Sequence, residues 1–151
     1  MSIEANFLGR GWGFPPEFSS QGVVMTAGVE DIERSLDILL TTRLRERILS
    51  PEYGCDLSDF VFESINTTLR TQIKELVKTA ILYHEPRIDP LNVTLEQLLD
   101  SLGTLVITVE FRVRATNTRY NYVFPFYKAE GSELFIDLEI RNKISKSLKN
   151  E

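Results

Sequence analysis

Two hydrophobic periods divide the chain. Val29, Ile32, Leu36, Leu39, Leu40, Leu44 and Ile48 recur at helical spacing, which predicts a first helix over 29–48 with one apolar face. Gly28 can cap it, and Glu30 and Asp31 in its first turn suit the helix dipole. Arg43, Arg45 and Arg47 would fill its last turn before Ser50-Pro51 stops it. Leu69, Ile73, Leu76, Val77, Ala80 and Ile81 define a second helix over 67–84, capped by Asn66 or Thr67. After residue 90 the period drops to two. Leu91, Val93 and Leu95 mark a strand over 92–98, and Leu105, Ile107, Val109, Phe111 and Val113 a second over 105–115. Tyr120, Tyr122, Phe124 and Phe126 mark a third over 119–127. Asp100-Ser101-Leu102-Gly103 is a turn, and Thr116-Asn117-Thr118 closes a long hairpin with one strongly apolar face. Pro125 has no N–H to give a ladder, so it calls for an edge strand or a bulge. Leu134, Ile136, Leu138 and Ile140 fit a fourth extended segment, with a short helix as the other option. The fold class is α+β: two main helices packed on a small antiparallel sheet of three to four strands.

Between the helices, Pro51–Leu57 reads as a turn in which Gly54 supplies a positive φ. Leu57, Phe60 and Val61 suggest one or two helical turns. The passage from helix to sheet is a stiff corner, Glu85-Pro86-Arg87, closed by Pro90. Pro86 must end the helix, and the residue before a proline is pushed toward extended backbone. Side chains two apart then leave on one side, so Glu85 and Arg87 flank a rigid residue. Two readings are open. Arg87 can cap helix carbonyls while Glu85 pairs with it or faces water, or the corner can present a guanidinium fork to a partner.

Residues 1–27 hold Gly9, Gly11 and Gly13, Pro15 and Pro16, the sole Trp and Phe7, Phe14 and Phe18. Such a segment excludes a regular helix or central strand, and its rings must lie across the core or dock on something else. Gly9-Arg10-Gly11-Trp12-Gly13 lacks the Lys-Ser/Thr ending and preceding strand of a phosphate loop. The organisation is an N-terminal segment over 1–27, one α+β domain over 28–141 and a polar tail over 142–151.

Composition narrows the function. A net charge of −5 and a pI near 5.0 argue against a nucleic-acid footprint. No apolar run approaches the ~20 residues that span a bilayer, so no membrane insertion is expected. The first ten residues carry no secretory leader pattern, and the single Cys55 suits a reducing compartment. Cys55 has no second ligand at metal spacing and lone His84 has no nucleophile beside it, so neither a metal nor a cofactor is expected. A glycosidase needs two carboxylates about 5–10 Å apart. Only Glu63 and Glu110 sit in apolar surroundings that could raise a carboxyl pKa, and capping or salt bridging is the commoner fate of such residues.

The ordered set of Gly9-Arg10-Gly11-Trp12, Phe14-Pro15-Pro16, Gly28-Val29-Glu30-Asp31-Ile32, Leu39-Leu40-Thr41-Thr42, Glu46-Arg47, Pro51-Glu52-Tyr53-Gly54-Cys55, Phe60-Val61-Phe62-Glu63 and Glu85-Pro86-Arg87 resembles the baseplate wedge family of contractile phage tails. That family was historically labelled lysozyme-like, and it has counterparts in type VI secretion (TssE) and extracellular injection particles. One position departs from its pattern: Arg45 stands where a glycine is expected. The resemblance implies a non-enzymatic sheath initiator assembled in the cytoplasm, in six copies per baseplate. Its partners would be sheath subunits, baseplate wedge proteins and inner tube proteins. Glu85, Pro86 and Arg87 would contact the wedge, with Arg10 and Trp12 as further contact residues. The hairpin residues Leu105, Ile107, Val109, Tyr120, Tyr122 and Phe124 would receive a sheath strand. The alternatives are a peptidoglycan-cleaving muramidase and a small adaptor that dimerises through its edges.

Overall fold

The computed structural model describes residues 8–97 and 104–127. The expected turn at 100–103, the fourth extended segment over 134–140 and the tail over 142–151 lie outside the described residues.

The chain opens with two small ribbons. β1 (Arg10–Trp12) pairs antiparallel with β4 (Met25–Ala27), and β2 (Phe18–Ser19) pairs with β3 (Gly22–Val23). The glycines and prolines that forbid long elements permit these short ones. The described aromatic rings of this segment are not core: Trp12, Phe14 and Phe18 are all exposed.

α1 spans Val29–Thr41 and buries Ile32, Leu36, Leu39 and Leu40. It stops seven residues short of the expected end, and two threonines brace its last turn. Thr41 Oγ1 donates to the Asp37 carbonyl and Thr42 Oγ1 to the Ile38 carbonyl, each at 2.6 Å. The Ile38 carbonyl already accepts the Thr42 N–H at 3.0 Å, so these hydroxyl bonds brace the last turn and use none of the acceptors of a further one. Thr42 is extended, and its carbonyl accepts the Cys55 N–H at 2.8 Å. Gly54, at φ +135, lies so close that an added Cβ would stand 2.5 Å from that same carbonyl oxygen. Leu44 and Ile48 therefore leave the apolar face, and the three arginines sit in a loop, not in a helical last turn. Arg45 has φ +67, the left-handed conformation in which glycine is at ease.

A short 3-10 turn, Leu57–Phe60, leads to α2 (Thr67–His84). Asn66 caps α2 by accepting the Leu69 N–H at 2.7 Å. The sheet follows as β5 (Ile88–Gln97), β6 (Thr104–Val113) and β7 (Arg119–Tyr127), in the order β5-β6-β7. Pro90 does not close the corner. It lies inside β5, where the register slips between Pro90 and Asn92, as an edge strand allows.

Two bonds set the ladder's phase. The Val113 N–H donates to Thr118 O and the Arg114 N–H to Arg87 O. By antiparallel alternation, odd-numbered residues of β6 bond β7 and even-numbered ones bond β5. On β7 the backbones of Asn121, Val123 and Pro125 then turn outward, and the missing N–H of Pro125 faces the edge side. One face of the sheet carries Ile107, Val109, Phe111, Tyr122, Phe124 and Phe126 into a core shared with both helices. The buried Tyr122 hydroxyl donates to the buried Asp37 carboxylate, joining β7 to α1.

Arg45→Gly is expected to stabilise the fold. Relief of the left-handed strain, about 1–2 kcal/mol, outweighs the extra unfolded-state freedom of glycine, about 0.5–1 kcal/mol. The net gain of roughly 0.5–1 kcal/mol should raise Tm by about 1–3 °C in a thermal melt.

Candidate functional site

Pro86 ends α2 and turns both flanking side chains toward each other. Arg87 Nε donates to Glu85 Oε1 at 2.6 Å and Nη2 to Oε2 at 2.7 Å, a two-pronged pairing. Glu85 is 2% exposed, so its charge is tolerable only because this fork meets it. The third guanidinium nitrogen reaches across the molecule. Nη1 donates to Asp31 Oδ2 at 2.6 Å, in the first turn of α1, and to the Leu8 carbonyl at 3.0 Å. Asp31 also accepts from Thr26 Oγ1 at 3.2 Å, on β4. One side chain thus fastens the corner, α1 and the N-terminal ribbon together. Hydrogen bonds to Glu85, and then to Asp31, hold the guanidinium firmly protonated against the opposing effect of burial.

The glycines of the N-terminal motif fit this clasp. Gly9 has φ +100, and a Cβ there would stand 3.1 Å from Arg87 Nη1. A Cβ on Gly11 would come within 2.5 Å of Asp31 Oδ1. The ribbon backbone lies directly on the ion pairs, with no room for a side chain. Alternation then sends Arg10 and Trp12 to the opposite face, where Trp12 is 64% exposed.

The expected contact residues are therefore redistributed. Glu85 and Arg87 do not offer a free fork to a partner; they are bound to each other and to their own domain, while Pro86 stays exposed. Leu105, Ile107 and Val109 cannot receive a partner strand, because β6 is central and paired on both sides. Tyr122 and Phe124 lie on β7, but their side chains are buried and their backbones face β6. Tyr120 is half-buried and stacks on Phe111 at 5.9 Å. Arg10 and Trp12 are exposed as a contact role requires.

The two sheet edges differ. On β5, Arg70 Nη1 donates to the outward Leu95 carbonyl at 2.9 Å; with Pro90 and the bulge, this blunts the edge. The outer side of β7 has no strand beside it among the described residues.

Sequence reasoning missed Asp31, Gly9 and Gly11 as members of the clasp, and the Asp37–Tyr122 bond. An acid at position 37, amid the apolar positions of α1, was the available sign of the latter.

The acids singled out in the sequence, and the buried Glu85, show no sign of catalytic use. Glu63 is exposed, Glu110 faces Arg119 at 3.9 Å, and both oxygens of the buried Glu85 are occupied by Arg87. Among the described residues no group of three or more His, Cys, Asp or Glu could hold a metal, and no helix is long and apolar enough to cross a membrane. Burial, with a smaller push from Asp56, raises the Cys55 thiol to about 12.

Residues 26–118 match the family model described as baseplate wedge protein gp25. The baseplate wedge protein gp25 of Enterobacteria phage T4 is 34% identical over 94 residues, which are 62% of this chain and 70% of that protein. A Geobacter sulfurreducens protein described as a tail lysozyme superposes with a TM-score of 0.65 at 44% identity, over 72% of this chain and 98% of that one. A chain of the anti-feeding prophage baseplate, solved with 6-fold symmetrisation, superposes with a TM-score of 0.64 at 30% identity, over 87% of this chain and 94% of that one.

Arg87→Ala strands the Glu85 carboxylate in the core and should cost about 3 kcal/mol in denaturant unfolding. Arg87→Lys should recover only part of this, because an ammonium cannot fork. Cys55 should resist a thiol-reactive dye at pH 8 in the native protein and react fully in denaturant. Its contribution to stability is complete below the ordinary thiol value of 9.0 and should be lost as pH rises from there toward about 12.

Proposed function

The chain belongs to the baseplate wedge protein gp25 family, a structural component of contractile-tail baseplates, and we propose that it acts there as a sheath initiator. In this reading β7 receives a strand from the first ring of sheath subunits, and backbone bonds carry the affinity. The single observation behind it is the edge geometry. β5 is blunted by Arg70, Pro90 and a bulge, while β7 turns the polar backbone groups of Asn121 and Val123 outward. A sheet that guards one edge and, among the described residues, has no strand beside the other has a preferred side for strand addition.

The N-terminal ribbon supplies the second contact. The clasp holds its glycines inward, so that Arg10 and Trp12 face a wedge or inner tube neighbour. Glu85 and Arg87 serve this contact as positioning residues, not as the touching groups. Six copies per particle agree with the 6-fold symmetrised baseplate of the anti-feeding prophage, and assembly before release of the particle would take place in the cytoplasm. Peptidoglycan cleavage is the weaker reading, because the buried acids are already bonded within the domain.

Asn121→Pro tests the strand addition. It removes an outward N–H without touching the bonds to β6. The variant should fold as the wild type does and nucleate purified sheath subunits less well, with the loss of one backbone bond weakening strand capture by about 1 kcal/mol, or roughly fivefold. Nucleation at the wild-type rate would refute β7 as the receiving edge, and clearing of a peptidoglycan suspension by the wild-type protein would restore the enzyme reading.

A further inference from the structure

Ile48 and Leu49 are the most exposed large hydrophobic side chains among the described residues, at 93% and 96%. They sit side by side at the tip of the loop that follows α1. That loop is cross-braced. The Arg45 N–H donates to Pro51 O at 2.8 Å, Ser50 N–H to Arg47 O at 3.2 Å and Tyr53 N–H to Ser50 O at 3.0 Å. The Arg43 N–H donates to the Glu46 carboxylate at 2.8 Å and the Leu44 N–H to Asp56 at 3.3 Å. Arg45 holds a strained positive φ within it.

A cation–π contact and a tilted ring pair fix the loop to the end of α2. The Arg47 guanidinium lies 4.2 Å above the Tyr53 ring, and that ring is 5.1 Å from His84. The tip therefore stands at the same end of the molecule as the exposed Tyr83 and Pro86. Arg43 and Arg45 have no carboxylate partner among the described residues, in a chain of net charge −5.

Two aliphatic side chains displayed on a rigid loop have their binding shape before any partner arrives, so little ordering entropy is lost on contact. The adjacent guanidiniums select a partner surface of opposite charge. We propose that residues 43–50 form a docking knob: Ile48 and Leu49 insert into an apolar socket on a neighbouring baseplate protein, and carboxylates on the socket rim meet Arg43 and Arg45. An acidic lipid surface would also attract a basic, apolar loop. It gains nothing from a braced backbone, however, and the tip lacks the aromatic residues that favour a membrane interface. The proposal rests on the baseplate role but uses a surface separate from β7.

The test uses the full-length protein and the purified wedge proteins of the same particle. Ile48→Ser/Leu49→Ser should melt with the wild type, because both side chains are already in water, and should bind the wedge proteins at least about a hundredfold more weakly. Arg43→Glu/Arg45→Glu should weaken binding about tenfold at low salt and less as salt screens the rim. Both variants should nucleate sheath normally, and neither they nor the wild type should bind acidic phospholipid vesicles. Wild-type wedge affinity in the aliphatic variant would overturn the knob while leaving strand addition at β7 intact. Vesicle binding that disappears in that variant would reassign the tip to a membrane. Failure of the wild-type protein to bind any wedge protein would overturn the knob and the baseplate contact together.

Discussion

Arg87 joins parts of the chain that have no local reason to meet. Its guanidinium spans from Glu85, two positions away, to Asp31, 56 positions away, and to the carbonyl of Leu8, 79 positions away. A carboxylate as deeply buried as Glu85 demands a cation, and a planar fork is the side chain that can answer it in two directions. Once Pro86 has placed the fork, the first turn of α1 and the N-terminal ribbon have a fixed seat. The backbone of Arg87 adds to this, because its carbonyl takes the Arg114 N–H at the end of β6. The corner is thus the point at which ribbon, helices and sheet are held in common.

This arrangement gives the two motifs one physical meaning. Glycine at 9 and 11 lets the ribbon backbone rest on charged groups, and alternation sends Arg10 and Trp12 outward. Glu85 and Arg87 act on the ribbon from beneath. They determine what the surface displays without forming that surface. The braced loop after α1 follows the same logic, since hydrogen bonds inside the domain dictate which apolar groups reach solvent. The sheet does so as well, guarding β5 with a side chain and turning backbone outward along β7.

Much of the fold was legible in the sequence. Period-two alternation placed the third strand at its observed limits, and the proline at 125 pointed to an edge. The second helix was readable from its cap to its proline stop. The first helix was not, because Leu44 and Ile48 continue the apolar spacing beyond the true end. Its end is marked by a bond across the chain, the Thr42 carbonyl accepting the Cys55 N–H, which leaves no periodic trace. The glycine expected in place of Arg45 did mark a real left-handed position. The pairing of Glu85 with Arg87 was readable as one of two options, whereas Leu8 and Asp31 were not, because nothing local joins positions so far apart. The hairpin residues that the resemblance marked for partner contact lie on the core face. The backbone groups that an edge offers belong to the intervening residues.

The account depends on the guanidinium holding the N-terminal ribbon in place. Amide hydrogen exchange in the native Arg87→Ala protein tests this most directly, residue by residue against the wild type. The amides that bond β1 to β4 should lose protection far more than those pairing β6 with β7. Equal protection of the ribbon in both proteins, or a uniform loss across ribbon and sheet alike, would contradict the claim.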